Sequence, residues 1–432
     1  MLNILIVYYH RYSFPMRQSI KDHLYSFNNY FKKAYFFYLN AAFPLPFYIF
    51  YINFDLIIFH TTFLSRLKWS PLPYEKHIKK YKKLTKLKAP KVIIPQDEFI
   101  RSDVICNFIK DFDIKVVFTT SDKKEIEKIY PEIDKTKVKF VQVLTGYLDE
   151  YTIAKVKKML RRYNKRPIDI GYRVTKVPFS LGKHGYEKEK IAHLFQKYGK
   201  KFGLKVDIST DEKDIFLGFD WYRFLLKCKY TIGVEGGSSI LDFDGSIRKK
   251  VQKYLQEHPK ANFKEVQKEC LADVEGNLNL FAISPRHLEA CMTKTCQILV
   301  EGNYNGILIP WRHYIPLKRD YSNIKEVIEL VKKDLKRNEI VEQAYKDIVE
   351  SGKYTYKEFV NKVIFTSLED TLRNQKSTLS DIIFYILYIL NKVREFVLWK
   401  LILVESVVIV VLEKLLGSKQ LTKIKKMIRR ED

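Results

Sequence analysis

Three stretches of this chain have the residue types and spacing to do chemistry. The first is Ser284-Pro285-Arg286-His287-Leu288-Glu289. Serine followed by proline marks a helix start, and a helix N-terminus attracts anions. Arg286 and Glu289, three apart, share a helix face. A carboxylate there can accept hydrogen bonds from both hydroxyls of a ribose, although taken alone the two residues read as a surface ion pair of little worth. The second stretch, Gly233-Val234-Glu235-Gly236-Gly237-Ser238-Ser239, follows an apolar strand-like run. Adjacent glycines let backbone approach a phosphate or sugar oxygen, with Glu235, Ser238 and Ser239 as further partners. A tight turn from strand to helix has the same composition, and the stretch matches neither the G-x-G-x-x-G fingerprint nor a P-loop. The third, Tyr172 to Gly185, is basic: Arg173 offers forked donors to a diphosphate, and Lys183 and His184 offer point charges.

Fewer groups suit proton transfer. His10, His60, Asp97 and Glu98 each follow a predicted strand, where a histidine or carboxylate can deprotonate a hydroxyl. Asp242-Phe243-Asp244 is a literal D-x-D, which in another fold holds a divalent metal. Here the reading is no metal, with Asp242 capping a following helix.

The elements that must position these residues alternate. From 1 to 150, predicted strands begin near Ile4, Ala34, Asp55, Lys91, Lys115 and Lys139, with helical stretches between most of them. Continuous apolar strands alternating with helices predict a parallel sheet covered on both faces, with ligands at the carboxyl ends of its strands. The basic, helix-prone segment 151–166 reads as a linker. Alternation then restarts, giving a second α/β domain over 167–370 with two extra helices inserted between Gly245 and Ala272. Residues 371–432 form a helical, hydrophobic and basic extension. Its apolar stretches Ile382–Leu390 and Phe396–Leu416 are interrupted by charges, so an in-plane membrane-associated hairpin is expected rather than a span.

Bulk composition narrows the class. With 46 % hydrophobic and 14 % aromatic residues over 432 positions, the chain folds into two or three domains rather than remaining disordered. A net charge of +27 suits phosphates, nucleic acid or an anionic membrane, yet a bias toward Lys, Ile, Asn, Tyr and Phe accounts for it equally well. Five scattered cysteines, none in a C-x-x-C pair, suggest neither a disulfide framework nor a zinc knuckle. The N-terminus has no basic leader, so a cytoplasmic protein is expected.

The passages PQDEF, VLTGYLDE, DIGYRV, VDIS, GVEGGSSILDFDG, ISPRHLEA and HYIPLKRDYSN together resemble GT-B glycosyltransferases, in particular bacterial group 1 proteins with a spore-maturation-like C-terminal domain. That resemblance implies two Rossmann-like domains facing a cleft, with an acceptor-side first domain and a nucleotide-sugar donor in the second. Glu289 resembles the glutamate that binds the donor ribose, and Arg173 and Lys183 the basic pair near the diphosphate. The donor set then comprises Arg173, Lys183, His184, Glu235, Gly236, Gly237, Ser238, Ser239, Ser284, Arg286 and Glu289. Phe281 stands where many retaining members carry a second glutamate. The activity implied is metal- and cofactor-independent transfer of a sugar to a glycan or polyprenyl-linked acceptor at the inner membrane surface, in surface polysaccharide synthesis. Nucleic acid is not an implied partner. An epimerase of the same fold and a silent glycan-binding relative are the alternatives.

Overall fold

The computed structural model of the protein describes residues 1–11, 16–69, 73–163, 165–369, 383–401, 403 and 404. Six strands, β1 (Leu2–Tyr8), β2 (Ala34–Asn40), β3 (Leu56–Phe59), β4 (Lys91–Ile93), β5 (Ile114–Thr119) and β6 (Lys139–Gln142), form a parallel sheet in the order β2-β1-β3-β4-β5-β6. Side chains alternate across it: Leu5, Val7, Ile57 and Phe59 enter one core, whereas Ile4, Ile6, Leu56 and Ile58 enter the other. Burial on both faces explains why these strands read as unbroken apolar runs.

The second unit has a parallel sheet of β7 (Ile168–Arg173), β8 (Val206–Ser209), β9 (Cys228–Gly233), β12 (Cys296–Val300) and β13 (Ile315–Leu317), ordered β13-β12-β9-β7-β8. Between β9 and β12 the chain adds β10 (Gly236–Ser238) and β11 (Leu280–Ala282), which pair antiparallel. The fold is therefore α/β with two Rossmann-like units. In each sheet the direction of winding reverses once, between β1 and β3 and between β7 and β9. Ligands of open parallel sheets bind at such reversals.

Three segments tie the units together. Helix Glu150–Leu160, capped by Asp149 accepting the Thr152 N–H at 2.8 Å, buries Val156 in the same cluster as Leu288 and Met292. Helix Tyr356–Leu368, from the stretch expected to close the second domain, returns to the first sheet and packs Phe359, Val360 and Val363 with Leu24 and Phe27. The insertion after β10 contributes Leu278 and Leu280 to the first unit's core. Its Asp242 donates its N–H to the Phe99 carbonyl and accepts from the Arg101 N–H, both at 2.8 Å.

Residues 383–401 form one continuous helix. Asn391 and Glu395, which interrupt the apolar pattern in the sequence, lie on its docked face and are buried. No helix among the described residues is long and apolar enough to cross a membrane. The remainder of the second apolar stretch lies outside the described residues.

Glu98, expected in the cleft, is instead wholly buried. Its carboxylate accepts from the Thr119 hydroxyl (2.5 Å), the Thr120 N–H and hydroxyl (both 2.8 Å) and the Tyr130 hydroxyl (2.5 Å). Saturated in this way, it holds the carboxyl end of β5 and has no access to a substrate. Glu98→Ala strands these donors, and urea denaturation should show an unfolding free energy lower by about 3 kcal/mol.

Candidate functional site

A cleft of about 400 Å³ opens at the carboxyl ends of β7 and β9, where the second sheet reverses. Arg17, Gln18 and Ser19 line it from the first unit, opposite Lys188, Trp221, Ser284, Arg286 and Glu289 of the second. Its size falls in the range of about 300–1,000 Å³ common to small-molecule sites.

Glu289 projects from helix Pro285–Met292, one turn after Pro285. The Trp221 indole N–H donates to its Oε2 at 2.8 Å, and the Tyr222 hydroxyl lies 3.5 Å from Oε1. Burial pushes the Glu289 pKa up, while the Trp221 bond and the Arg286 charge oppose the rise. Ser284 precedes that helix without a side-chain capping bond, so its hydroxyl stays available at the cleft wall. The Arg286 guanidinium lies 5.3 Å from the Trp221 ring centre and donates to the Arg173 carbonyl.

Lys188 was not singled out from the sequence. It lies on helix Gly182–Lys201 and has no ion-pair partner among the described residues. Burial and the like charge of Arg286 push its ammonium pKa down, opposed by Asp97. Two cations on one cleft wall, Lys188 half-buried and Arg286 exposed, make that wall suited to an anion. Trp221 and Tyr222 were missed as well; the aromatic run Phe219-Asp220-Trp221-Tyr222 is the signal, visible only as a helix in the chain.

The other expected donor residues are divided. Arg173 lines the cleft but its guanidinium points into protein: Nη2 donates to Asp207 Oδ1 at 2.6 Å, Nη1 to the Tyr172 and Asp207 carbonyls, and Nε to the Asp214 carbonyl. Held this way over the Phe224 ring at 4.4 Å, it braces β7 against β8 rather than offering donors to a diphosphate. Gly236 borders the cleft. Gly237, at φ +110° and paired in β10, could not carry a Cβ, which would stand 1.8 Å from the Leu280 carbonyl oxygen. Ser238 is fully buried and bonds the Leu181 and Ile240 carbonyls. The glycine stretch is thus a strand whose two serines serve the fold.

Lys183, His184, Glu235 and Ser239 line a separate cavity of about 300 Å³ on the other side of that strand, with Phe281 and Arg319. His184 stacks on Phe281 at 3.9 Å, and burial lowers its pKa to about 4. Ser239 donates to Glu275 at 2.6 Å, and Glu235 accepts the Tyr304 N–H at 2.7 Å. Asp242 accepts the Ile247 and Arg248 N–H groups at 3.0 and 3.1 Å, capping helix Ser246–Glu257.

Neither cavity is lined by His10, His60, Asp97 or Glu98. His60 is fully buried: it caps helix Thr61–Lys68 through Nδ1 and meets His23 Nδ1 at 2.8 Å through Nε2. His10 is half-buried, and its backbone is held by Asn40. Asp97 is exposed after β4 at φ +51°, its loop clamped by the buried Lys68, which donates to the Gln96 and Asp97 carbonyls.

No family model matches the chain, and no curated protein matches it in sequence. Among solved structures it is similar to HepE of Anabaena in complex with UDP-glucose (10 % identity, 85 % of this chain and 100 % of that one, TM-score 0.44). A glycosyltransferase from Rickettsia africae is similar over 86 % of this chain and 99 % of its own, at 11 % identity and TM-score 0.43. AviGT4, a glycosyltransferase of avilamycin A biosynthesis, gives 9 % identity, 85 % and 97 % coverage and TM-score 0.43. Likeness at this level decides neither activity nor ligand.

Asp22, one turn into helix Gln18–Tyr30, adds a third carboxyl near Glu289 and Asp149. Burial first, then those two charges, raise its pKa from 3.8 to about 6, against the 2.6 Å bond from Gln18. A raised carboxyl pKa contributes stability that is full below the unfolded value and is lost as pH climbs through about 6. Asp22→Asn removes that loss. Thermal melts should show the variant gaining about 1 kcal/mol over the parent at pH 8, and clearly less at pH 4.5.

Proposed function

We propose that the protein is a glycosyltransferase that moves a sugar, of hexosyl type, from a nucleotide-sugar donor to an acceptor hydroxyl. The observation that carries this reading is the convergence, at the β7/β9 reversal, of Trp221, Glu289, Lys188 and Arg286 on one cleft. An aromatic wall suits a base, a carboxylate suits the ribose hydroxyls, and paired cations suit a diphosphate. The sequence resemblance to GT-B enzymes supports the same assignment.

In this reading the acceptor oxygen forms a bond to the anomeric carbon as the bond to the donor phosphate breaks. Lys188, Arg286 and the N-terminus of helix Pro285–Met292 stabilise the charge gathering on the departing nucleoside diphosphate, the part a metal ion plays elsewhere. Asp97 takes the acceptor proton. It is supported over His10 because, although it stands outside the cleft lining, its charge acts on Lys188, which lines the cleft. Lys68 is the positioning residue that sets the Asp97 loop. The acceptor class we assign is a lipid-linked saccharide, and the process is assembly of a bacterial surface polysaccharide.

A thermal-shift panel of nucleoside diphosphates and nucleotide sugars tests the donor. One donor at about 100 times its Kd should stabilise the protein by about 2.7 kcal/mol. Glu289→Ala should weaken that donor about tenfold or more, whereas Asp97→Asn should lower kcat by about a hundredfold with donor affinity unchanged. A panel with no shift defeats the reading. Release of free nucleoside diphosphate without any acceptor consumption, or sugar inversion with none released, would favour an epimerase. Turnover that survives a chelator is expected.

A further inference from the structure

The helix of residues 383–401 lies along β2, an edge strand of the first sheet, and residues 403 and 404 are helical as well. Phe384, Leu387 and Tyr388 pack against the first unit, and polar side chains make the hydrogen bonds to the strand edge. Asn391 Nδ2 donates to the Tyr38 carbonyl at 3.1 Å, its Oδ1 accepts from the Tyr48 hydroxyl at 3.1 Å, and Glu395 Oε1 accepts the Asn40 N–H at 3.2 Å. These bonds satisfy edge groups that would otherwise invite another strand. They also fix which way the helix faces. Phe384 enters the first unit's core, so the opposite face is turned outward.

That outward face is apolar. Ile386, Ile389, Leu390, Val393, Val397, Leu401 and Val404 recur at three- and four-residue spacing and are all exposed. Beside it, in the turn Phe47–Tyr51 that also supplies Tyr48, Phe47 is 75 % and Tyr51 73 % exposed. Charge on this surface has one sign. Over 383–404 the cations are Lys392, Arg394 and Lys400, and the single acid, Glu395, is 4 % exposed and committed to Asn40. At 3.6 residues per turn, Lys392 and Arg394 fall on opposite borders of the stripe. The Lys400 ammonium lies over the Phe396 and Trp399 rings, with Nζ 5.5 and 4.9 Å from the ring centres. Cations beside an apolar stripe on one helix are the arrangement of a helix lying in a bilayer interface.

We propose that this helix and the Phe47–Tyr51 turn together form a docking surface for an anionic lipid bilayer, with the helix lying in the membrane plane and the first sheet held edge-on to it. Asn40 bonds both Glu395 and the backbone of His10 at the end of β1, so the surface is rigidly joined to the side of the first unit that faces the cleft. The assignment goes beyond the donor reading and does not depend on it.

The test is flotation of the full chain with vesicles of phosphatidylcholine alone and of an equimolar mixture with phosphatidylglycerol. Flotation with the mixed vesicles, weakened by high salt and much lower with the neutral ones, is expected. Ile386→Asp with Leu390→Asp should lower the bound fraction about tenfold or more, because both side chains leave the interface. Phe47→Ser with Tyr51→Ser, on a separate element, should lower it too. Both variants should keep the parent's circular dichroism and its thermal response to nucleotides. Failure of the parent to float with mixed vesicles overturns the proposal, as does equal flotation with neutral ones. Flotation unaffected by either variant would place the lipid contact elsewhere in the chain. A lipid-free dimer that Ile386→Asp with Leu390→Asp dissociates would make a second copy the occupant.

Discussion

The backbone exchange at Asp242 is the constraint on which the cleft depends. One residue of the second unit's insertion gives its N–H to Phe99 and takes the N–H of Arg101, while its carboxylate caps helix Ser246–Glu257. Leu278 and Leu280 then carry the insertion into the first unit's core, and helix Tyr356–Leu368 makes the return crossing. Apolar burial in both directions supplies the attraction, whereas the directional hydrogen bonds set the register. Two α/β units joined by a linker alone would rock freely. With these crossings, Gln18 and Ser19 of one unit stand opposite Arg286 and Glu289 of the other.

Within that frame the cleft wall is electrostatically unsatisfied by design of its surroundings. Lys188 and Arg286 share it, each opposing the other's charge, and Glu289 is desolvated with the Trp221 N–H as its closest donor. Elsewhere buried charge is resolved internally. Glu98 is saturated by Thr119, Thr120 and Tyr130, and Arg173 by Asp207, Asp214 and Tyr172. The contrast separates residues that build the site from those left for a ligand, since a charge already met by donors or acceptors of the protein has none to offer.

The terminal helix follows the same logic at an edge. Asn391 and Glu395 look like flaws in an apolar segment, yet each meets a backbone group of β2 or its flank. Their polarity is directed inward, leaving the outer face apolar and cationic. A hydropathy reading sees an interrupted span because it averages around the helix. The fold separates the two faces.

Much of the architecture was legible in the chain. The near-continuous apolar character of runs such as Leu2–Tyr8 and Cys296–Val300, buried on both faces, and the serine–proline start before Glu289 are local signals that survive into the structure. The candidate site was legible only in part. Ser284, Arg286 and Glu289 sit at the cleft, whereas the strand pairing of Gly236–Ser238 with Leu280–Ala282 joins segments more than forty residues apart, and no local pattern announces it. The sequence by itself determined which segments are strands and helices and which residue types are available, because propensity, periodicity and capping act over a few neighbours. Only the tertiary structure decided which of those residues face solvent-filled space. That choice depends on partners distant in sequence: Asp207 for Arg173, Tyr130 for Glu98, and the absence of any ion-pair partner, among the described residues, for Lys188.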